Sequence, residues 1–593
     1  MKTTNQSKNI ASSSFWPFIP SKSRSEHVPK VNEQGNPQLT VAEAIVEMLA
    51  NLGIECAFGV SGGGIAPLWV NLEQSELEVF HFRHEAGAAF SAVESYFATD
   101  KPVVVFTTTG PGITNALTGL LTARGEGAKV ILLSAYSSSH QRGRHATQET
   151  STYTLPTEGL FTPGSLFHYA NILESSAELP EVSRRLALGM TRPGGFVAHL
   201  SVPIAIQTSL MKTVLPQTSF TQSVATAQED TIYQCAELLS AGEFAIWLGF
   251  GARGAAEEIL ELAERTGAPV MCSPRAKGIF PETHPQFIGV TGFAGHDSVV
   301  AYMQQFRPLH TLVLGSRLSE PTSFWSPVMV PSRGFIHVDI DPEVPGVAYP
   351  SVETFAIHSE IKAFTQALLK YFPSPALNLT ILPYPHVEIA AIPPQPQGLV
   401  QPEILMEKVQ KIIVEGSDAV VMAESGNSFA WAINRLQFTQ PGRFRVCTGV
   451  GSMGHFVTGV VGAALGLGRN SKVVAIVGDG AMLMNSEIST AVKYQLPAVW
   501  IVLNDGRYNM CEQGNRAQNL LGADTKLPAT DFTMIARGLG AKAINVTQES
   551  ELEAALLQAM AATVPFVIDV LIDPNRPAPI GGRIKGLMTQ GKK

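Results

Sequence analysis

The chain has 593 residues, 45% of them hydrophobic and 16% charged, with 52 glycines, which supplies apolar material for several cores and excludes a disordered or coiled-coil protein. A net charge of −8 with no long basic run excludes the electrostatic footprint of a nucleic-acid binder. The five cysteines (Cys56, Cys235, Cys272, Cys447, Cys511) are odd in number and form no C-x-x-C pair, which argues against a disulfide framework or zinc site and for a reducing cytoplasm.

Residues 1–38 are polar, lack the apolar core of a secretory signal and are expected to form a flexible or surface-draped extension. No stretch reaches the roughly 18 apolar residues of a membrane helix, so no membrane partner is expected. Over 39–207, apolar runs at Cys56–Val60, Val79–Phe82, Val103–Thr107 and Val130–Leu133 alternate with helical segments after Gly62-Gly63-Gly64 and at His84–Ala98. That alternation predicts βαβ units and a parallel sheet. A second block, 225–372, has strand candidates at Phe244–Leu248, Thr311–Leu314 and Ile336–Ile340 and a helical pattern at Ala255–Thr266. The Pro-rich stretch 373–401 predicts a linker, because proline fixes φ and lacks a backbone donor. A third block, 402–574, repeats the alternation with strands at Ala419–Met422, Val473–Val477, Val499–Leu503 and Phe566–Leu571, and 575–593 form a C-terminal tail. The expected fold class is therefore α/β with three doubly wound parallel-sheet domains, the first and third similar enough to be related halves of one site.

The third block carries the most specific motif. Gly478-Asp479-Gly480 closes one apolar strand, and Asn504-Asp505-Gly506, whose asparagine lies 25 residues beyond the aspartate, closes another. The helical stretch Ser486–Tyr494 joins them into a βαβ unit, and parallel strands end on one edge, so Asp479 and Asn504 come together. A carboxylate, a carboxamide and the Gly506 carbonyl suit Mg²⁺, a hard octahedral cation that keeps positions for phosphate oxygens. Gly478 and Gly480 permit close backbone approach, and the turn at Gly480-Ala481 presents amides to a diphosphate. Each tripeptide alone reads equally well as a turn after a strand; the spacing of the two together carries the metal–diphosphate reading.

These motifs resemble those of the thiamine diphosphate-dependent enzymes, the family that includes acetolactate synthase, pyruvate oxidase and 2-oxo acid decarboxylases, from Leu39 to about Pro574. The resemblance implies a pyrimidine-binding domain at 39–207, a middle domain at 225–372 and a diphosphate-binding domain at 402–574, with thiamine diphosphate and Mg²⁺ as cofactors. Phe82-Arg83-His84-Glu85-Ala86-Gly87-Ala88 resembles R-H-E-x-x-A, which gives Glu85 the role of the carboxyl that activates the cofactor's aminopyrimidine. A glutamate opening a helix serves equally to offset the helix dipole. Thr107-Thr108-Thr109-Gly110-Pro111-Gly112-Ile113-Thr114-Asn115 resembles the turn beside the pyrimidine pocket and places Asn115 there. Gly426, Asn427 and Ser428 lie where relatives place diphosphate contacts. Gly449-Val450-Gly451-Ser452-Met453-Gly454 resembles the segment whose methionine wedges under the bent cofactor, which implicates Gly451, Ser452 and Met453. Ala146-Thr147-Gln148-Glu149 resembles A-F-Q-E, whose glutamine faces the reacting carbon, so Gln148 is a candidate for orienting a carbonyl.

The resemblance breaks in the middle domain. Where acetolactate synthases carry G-x-R-F-D-D-R, this chain has Gly315-Ser316-Arg317-Leu318-Ser319-Glu320-Pro321, and a proline cannot make the ionic contact of the second arginine. Gly292-Phe293-Ala294-Gly295 stands in place of G-M-H-G, a change that removes residues cradling FAD in relatives and argues against flavin. The tryptophan that relatives carry after the metal motif is replaced near Gln513. This pattern implies a decarboxylative carboligase with a rebuilt acceptor pocket that joins 2-oxo acids, similar to the acyloin-forming enzyme of scytonemin biosynthesis, which couples two aromatic ones. The alternatives are a simple 2-oxo acid decarboxylase, acetolactate synthase proper, a flavin-dependent oxidase and a catalytically idle thiamine diphosphate-binding subunit. In the family the pyrimidine domain of one subunit faces the diphosphate domain of another, which implies a homodimer or homotetramer.

Overall fold

The computed structural model describes residues 39–590 apart from 155–156, 213–214, 217–223, 373–383 and 396; the expected N-terminal extension lies outside the described residues. Strands β1 (Cys56–Gly59), β2 (Glu78–His81), β3 (Val103–Thr107), β4 (Lys129–Tyr136), β5 (Tyr169–Ile172) and β6 (Phe196–Pro203) form a parallel sheet in the order β2-β1-β3-β4-β6-β5. The middle domain has β7 (Phe244–Leu248), β8 (Val270–Cys272), β9 (Phe287–Val290), β10 (His310–Leu314), β11 (Gly334–Asp339) and β12 (Thr354–His358), ordered β12-β11-β10-β7-β8-β9. The third has β13 (Val420–Ala423), β14 (Phe444–Arg445), β15 (Val473–Gly478), β16 (Ala498–Asn504), β17 (Lys542–Val546) and β18 (Phe566–Leu571), ordered β14-β13-β15-β16-β18-β17. The expected three α/β domains are therefore present. The first and third sheets follow one winding, as the repeated sequence pattern predicts.

Every residue of β3, β4, β6, β7 and β16 is buried, as strands covered by helices on both faces must be. The first and third domains meet along the helices Glu85–Thr99 and His455–Leu467. Their backbones approach so closely that a Cβ at Gly462 would stand 1.9 Å from the Ser91 carbonyl oxygen, and the Ser91 hydroxyl donates to the Thr458 carbonyl at 2.8 Å. Only glycine fits there.

A buried ionic cluster crosses this junction. The Glu94 carboxylate accepts two hydrogen bonds from Arg445, at 2.8 and 2.9 Å, and one contact from His455 at 2.9 Å. Burial alone would raise the Glu94 carboxyl, but Arg445 and His455 hold it down at about 2. Burial opposes charge on His455, yet Cys447 and Glu94 beside it push its value up to about 10. Next to it, Arg275 of the middle domain pairs with Glu126 at 2.8 Å, so charges from all three domains are gathered at one place. Removing one member would strand the others without water.

Three stretches at the expected domain limits are packed onto the domains beside them. The first domain runs past 207 to Met211, because 209–211 close onto its first residues: Val41 donates to the Ser209 carbonyl and Met211 to that of Leu39. Within the linker, Tyr384 is buried against Tyr302 and Phe306, with ring centroids 5.4 and 5.3 Å away, and the Gln395 amide donates to Glu549, so its described part is anchored to two domains. The expected C-terminal tail contains a helix, Gly581–Gln590, which follows buried Ile580 and lays Gly582 against the Phe324 ring.

Candidate active site

Winding order places the ends of β13, β15 and β16 side by side, and the motif residues follow these ends. Asp479 and Asn504 are buried there. One Asp479 oxygen accepts the Gly480 amide and the other the Gly506 amide, both at 2.7 Å, so the two tripeptides are joined through this carboxylate. The Asn504 amide group donates to Asp569 at 2.9 Å and to the Thr530 carbonyl at 3.2 Å, which fixes its plane and leaves its oxygen as the group able to meet a cation. The Gly506 carbonyl accepts the Leu527 amide at 2.7 Å, so a cation there would use its second lone pair.

Burial pushes the Asp479 carboxyl up against the pull of its amide donors. Burial, and after it the Asp479 charge, pushes Asp505 up to about 7. Two neighbouring carboxylates, one buried and one partly buried, disfavour each other's ionised form, and a divalent cation relieves this. The donor set of carboxylate, carboxamide and carbonyl thus fits a hard cation such as Mg²⁺.

Beside it lies a cavity of about 450 Å³, lined by Gly426, Asn427, Ser428, Gly451, Met453, Asp479, Gly480 and Ala481 of the expected set. Gly426, at φ 131°, turns the chain into the helix Asn427–Arg435, whose free N-terminal amides are suited to an anion. The Asn427 side-chain oxygen is buried without a partner among the described residues, and turning the amide over presents its NH₂ instead. Met453, 38% exposed, stands in this lining, where an apolar side chain can support a ligand. Ser452 is not part of the lining; its hydroxyl is spent on the Met453 carbonyl. Phe293 and Pro321 of the middle domain, with Met510, Cys511 and Ile572, close the apolar side.

The first-domain residues gather elsewhere. Glu85 is 8% exposed at the first position of its helix, after the N-cap His84, whose ring accepts the Ala86 amide. Asn115 donates to its carboxyl at 3.0 Å, and a Cβ on Gly112 would touch its other oxygen at 3.4 Å. Gly110, at φ 56°, packs against exposed Gln148, whose amide oxygen accepts the Thr109 hydroxyl at 3.4 Å. The structure therefore brings together Glu85 with Asn115, and Gln148 with the neighbouring turn. Among the described residues none of the first domain lines the cavity of the third.

Residues 39–155 match the family model of the thiamine pyrophosphate enzyme N-terminal TPP binding domain, 232–368 that of the central domain, and 424–570 that of the C-terminal TPP binding domain. The chain belongs to the thiamine pyrophosphate enzyme family. It is 27% identical over 581 residues to a probable acetolactate synthase large subunit of Methanocaldococcus jannaschii, covering 92% of this chain and 95% of the relative. It is likewise 27% identical over 549 residues to the acetolactate synthase isozyme 1 large subunit of Escherichia coli, covering 90% and 94%.

This thiamine pyrophosphate enzyme also uses residues that sequence reasoning missed. Asp569 orients Asn504, and its signal was a lone acid inside the apolar run Phe566–Leu571. Glu424, fully buried, accepts the Phe456 and Val457 amides at 2.8 and 3.0 Å and so ties the end of β13 to the helix that follows Met453. Glu487 of the third domain accepts the Arg83 and His84 amides, fixing the turn before Glu85. Among the described residues no helix is long and apolar enough to cross a membrane.

Proposed function

We propose that the chain is a thiamine diphosphate- and Mg²⁺-dependent decarboxylative carboligase that joins 2-oxo acids, working as at least a homodimer in the cytoplasm. The observation that carries this reading is a cavity in which the carboxylates of Asp479 and Asp505 and the amides of a helix N-terminus stand beside an apolar wall from a second domain. When bound, the cofactor supplies an electron sink for breaking and making carbon–carbon bonds next to a carbonyl.

Asp479, Asn504 and Gly506 would hold the cation, and Gly426–Ser428 with Gly480 and Ala481 the diphosphate oxygens. Met453 would support the cofactor's apolar underside. Glu85, kept in place by Asn115, would hold a proton against the aminopyrimidine, and Gln148 would orient a substrate carbonyl. Phe293, Met510 and Ile572 would exclude water, which favours attack on a second carbonyl over protonation.

Among the described residues none of the first domain lines the cavity, so Glu85 and Gln148 would come from a second copy. Exposed apolar side chains beside the metal motif, Leu483 and Met484, support such a contact. The aromatic wall favours 2-oxo acids with aromatic or bulky apolar side groups, and nothing in this reading requires flavin.

Incubation with thiamine diphosphate, Mg²⁺ and a panel of 2-oxo acids, singly and in pairs, followed by product mass analysis, tests this. Coupled products with loss of carbon dioxide are expected from a colourless protein. Aldehydes alone would make the enzyme a simple decarboxylase, and a yellow protein with flavin absorbance an oxidase candidate.

A further inference from the structure

The cavity has a cationic residue that the cofactor motifs leave unused. Two arginines line it, Arg507 and Arg583. Arg507 is committed, its guanidinium 3.2 Å from both oxygens of Glu512 and bonded to the Asp505 carbonyl. Arg583 is exposed and forms no ion pair or hydrogen bond among the described residues; its guanidinium stands over the face of Phe293, 5.9 Å from the ring centroid. An aromatic face can steer a guanidinium while leaving its N–H edge free.

Arg583 is held at this place by a chain of contacts. Beyond β18, Asp573 donates its amide to the Val400 carbonyl, and Arg576 pairs with Glu403 at 2.7 Å. The Ala578 amide donates to Gln513 at 3.0 Å, Ile580 is buried, and a Cβ at Gly582 would lie 3.0 Å from the Phe324 ring. These ties set the helix Gly581–Gln590 on the middle-domain segment that holds Pro321. Phe293 in turn donates its amide to the Pro321 carbonyl at 2.7 Å and packs on Phe429 with ring centroids 4.9 Å apart. A free fork of N–H donors therefore faces a cavity wall built of Phe293, Pro321 and Phe429. The cavity's carboxylates, Asp479 and Asp505, stand elsewhere, just after the carboxyl ends of the central strands β15 and β16.

We infer that Arg583 is the specificity residue of this site, binding the carboxylate of the acceptor 2-oxo acid while that acid's apolar side group rests on Phe293 and its neighbours. This rests on the carboligase reading above. A planar guanidinium can take a carboxylate through two parallel hydrogen bonds, which orients the adjoining ketone as well as binding it. Pro321 and Phe293 offer that ligand shape without charge, and the C-terminal helix supplies the charge.

The test titrates the thiamine diphosphate–Mg²⁺ form of the wild type, Arg583→Gln and Arg583→Lys with 3-phenylpropionate and with the neutral 3-phenylpropionamide, neither of which can react. For Arg583→Gln the acid is expected to bind about 10- to 100-fold more weakly, as for a lost charge-assisted hydrogen bond. Arg583→Lys should recover part of the loss, the amide should bind all three alike, and thiamine diphosphate affinity should not change. In turnover, the acceptor KM should rise with the same ranking while coupling to a carboxylate-free aldehyde is kept. Equal affinity of the acid for wild type and Arg583→Gln, absence of acid binding to wild type, or a matching fall in thiamine diphosphate affinity would each overturn the assignment. Failure of the wild type to couple any pair of 2-oxo acids would instead refute the carboligase reading, and the acid–amide comparison, needing no turnover, would still judge Arg583.

Discussion

The first and third domains wind six parallel strands in the same order, yet they place opposite chemistry beside the carboxyl ends of their strands. After β2 the first offers one carboxyl, Glu85, steadied by Asn115 and by the turn that Glu487 fixes. After β15 and β16 the third offers crowded acids, Asp479 and Asp505, with carboxamides and helix amides around them. One winding thus yields one surface built around a single hydrogen-bonded carboxyl and another whose donors suit a cation with an anion. The difference lies in the few residues after the strands, where α/β sheets place their ligands.

The largest effect should come from the third domain. Asp479→Ala is expected to abolish both cofactor binding and turnover, measured by calorimetry with thiamine diphosphate and Mg²⁺, while leaving the Gly506 amide unpaired lowers apo stability by about 1–3 kcal/mol. In the first domain, Glu85→Gln should lower turnover by about 10²- to 10⁴-fold with cofactor affinity retained, because it removes the proposed proton carrier and keeps the shape. Cofactor loss in Glu85→Gln, or its retention in Asp479→Ala, would erase the division of labour.

The junction between the two domains comes next. Glu94→Ala should cost about 3–5 kcal/mol in denaturant unfolding, since it leaves Arg445 and His455 buried without their partner. The pH profile of stability has two limbs. His455, raised from 6.5 to about 10, contributes fully below pH 6.5 and loses its contribution as pH rises through about 10. Glu94, lowered from 4.5 to about 2, contributes above pH 4.5 and loses its contribution as pH falls through about 2. Thermal unfolding across this range should show both limbs in the wild type and a weakened pair in Glu94→Gln. The smallest effect is that of Met453→Ala, expected to change stability within about 0.5 kcal/mol. The lost apolar contact should weaken thiamine diphosphate binding by about tenfold, read by the same calorimetry.

Much of this was legible in the sequence because buried parallel strands are unbroken apolar runs: β3, β7, β15 and β16 stand out in any reading. The strands left unmarked include the sheet-edge strands β5, β9, β12, β14 and β17, of which β12 and β17 mix exposed and buried positions and β14 has only two residues. The paired tripeptides at Asp479 and Asn504 were readable because spacing and topology agree. Asp569, Glu424 and Glu487 were not, since their roles are to accept hydrogen bonds from residues 32 to 404 positions away, a fact of packing rather than of pattern. Arg583 stayed hidden for the same reason: it sits in a stretch that reads as a tail and is docked by Gln513, Glu403 and Phe324, far off in the chain.

The central claim is that one site is shared between the first domain of one copy and the third domain of another. Co-expression of differently tagged Glu85→Gln and Asp479→Ala chains, with purification through both tags, tests it most directly. Each parent should be inactive, while the mixed dimer, with one intact Glu85 facing one intact Asp479, should regain about half the wild-type activity per dimer, as expected of a two-fold symmetric pair of sites. Mixed dimers that form and remain as inactive as their parents would contradict the account.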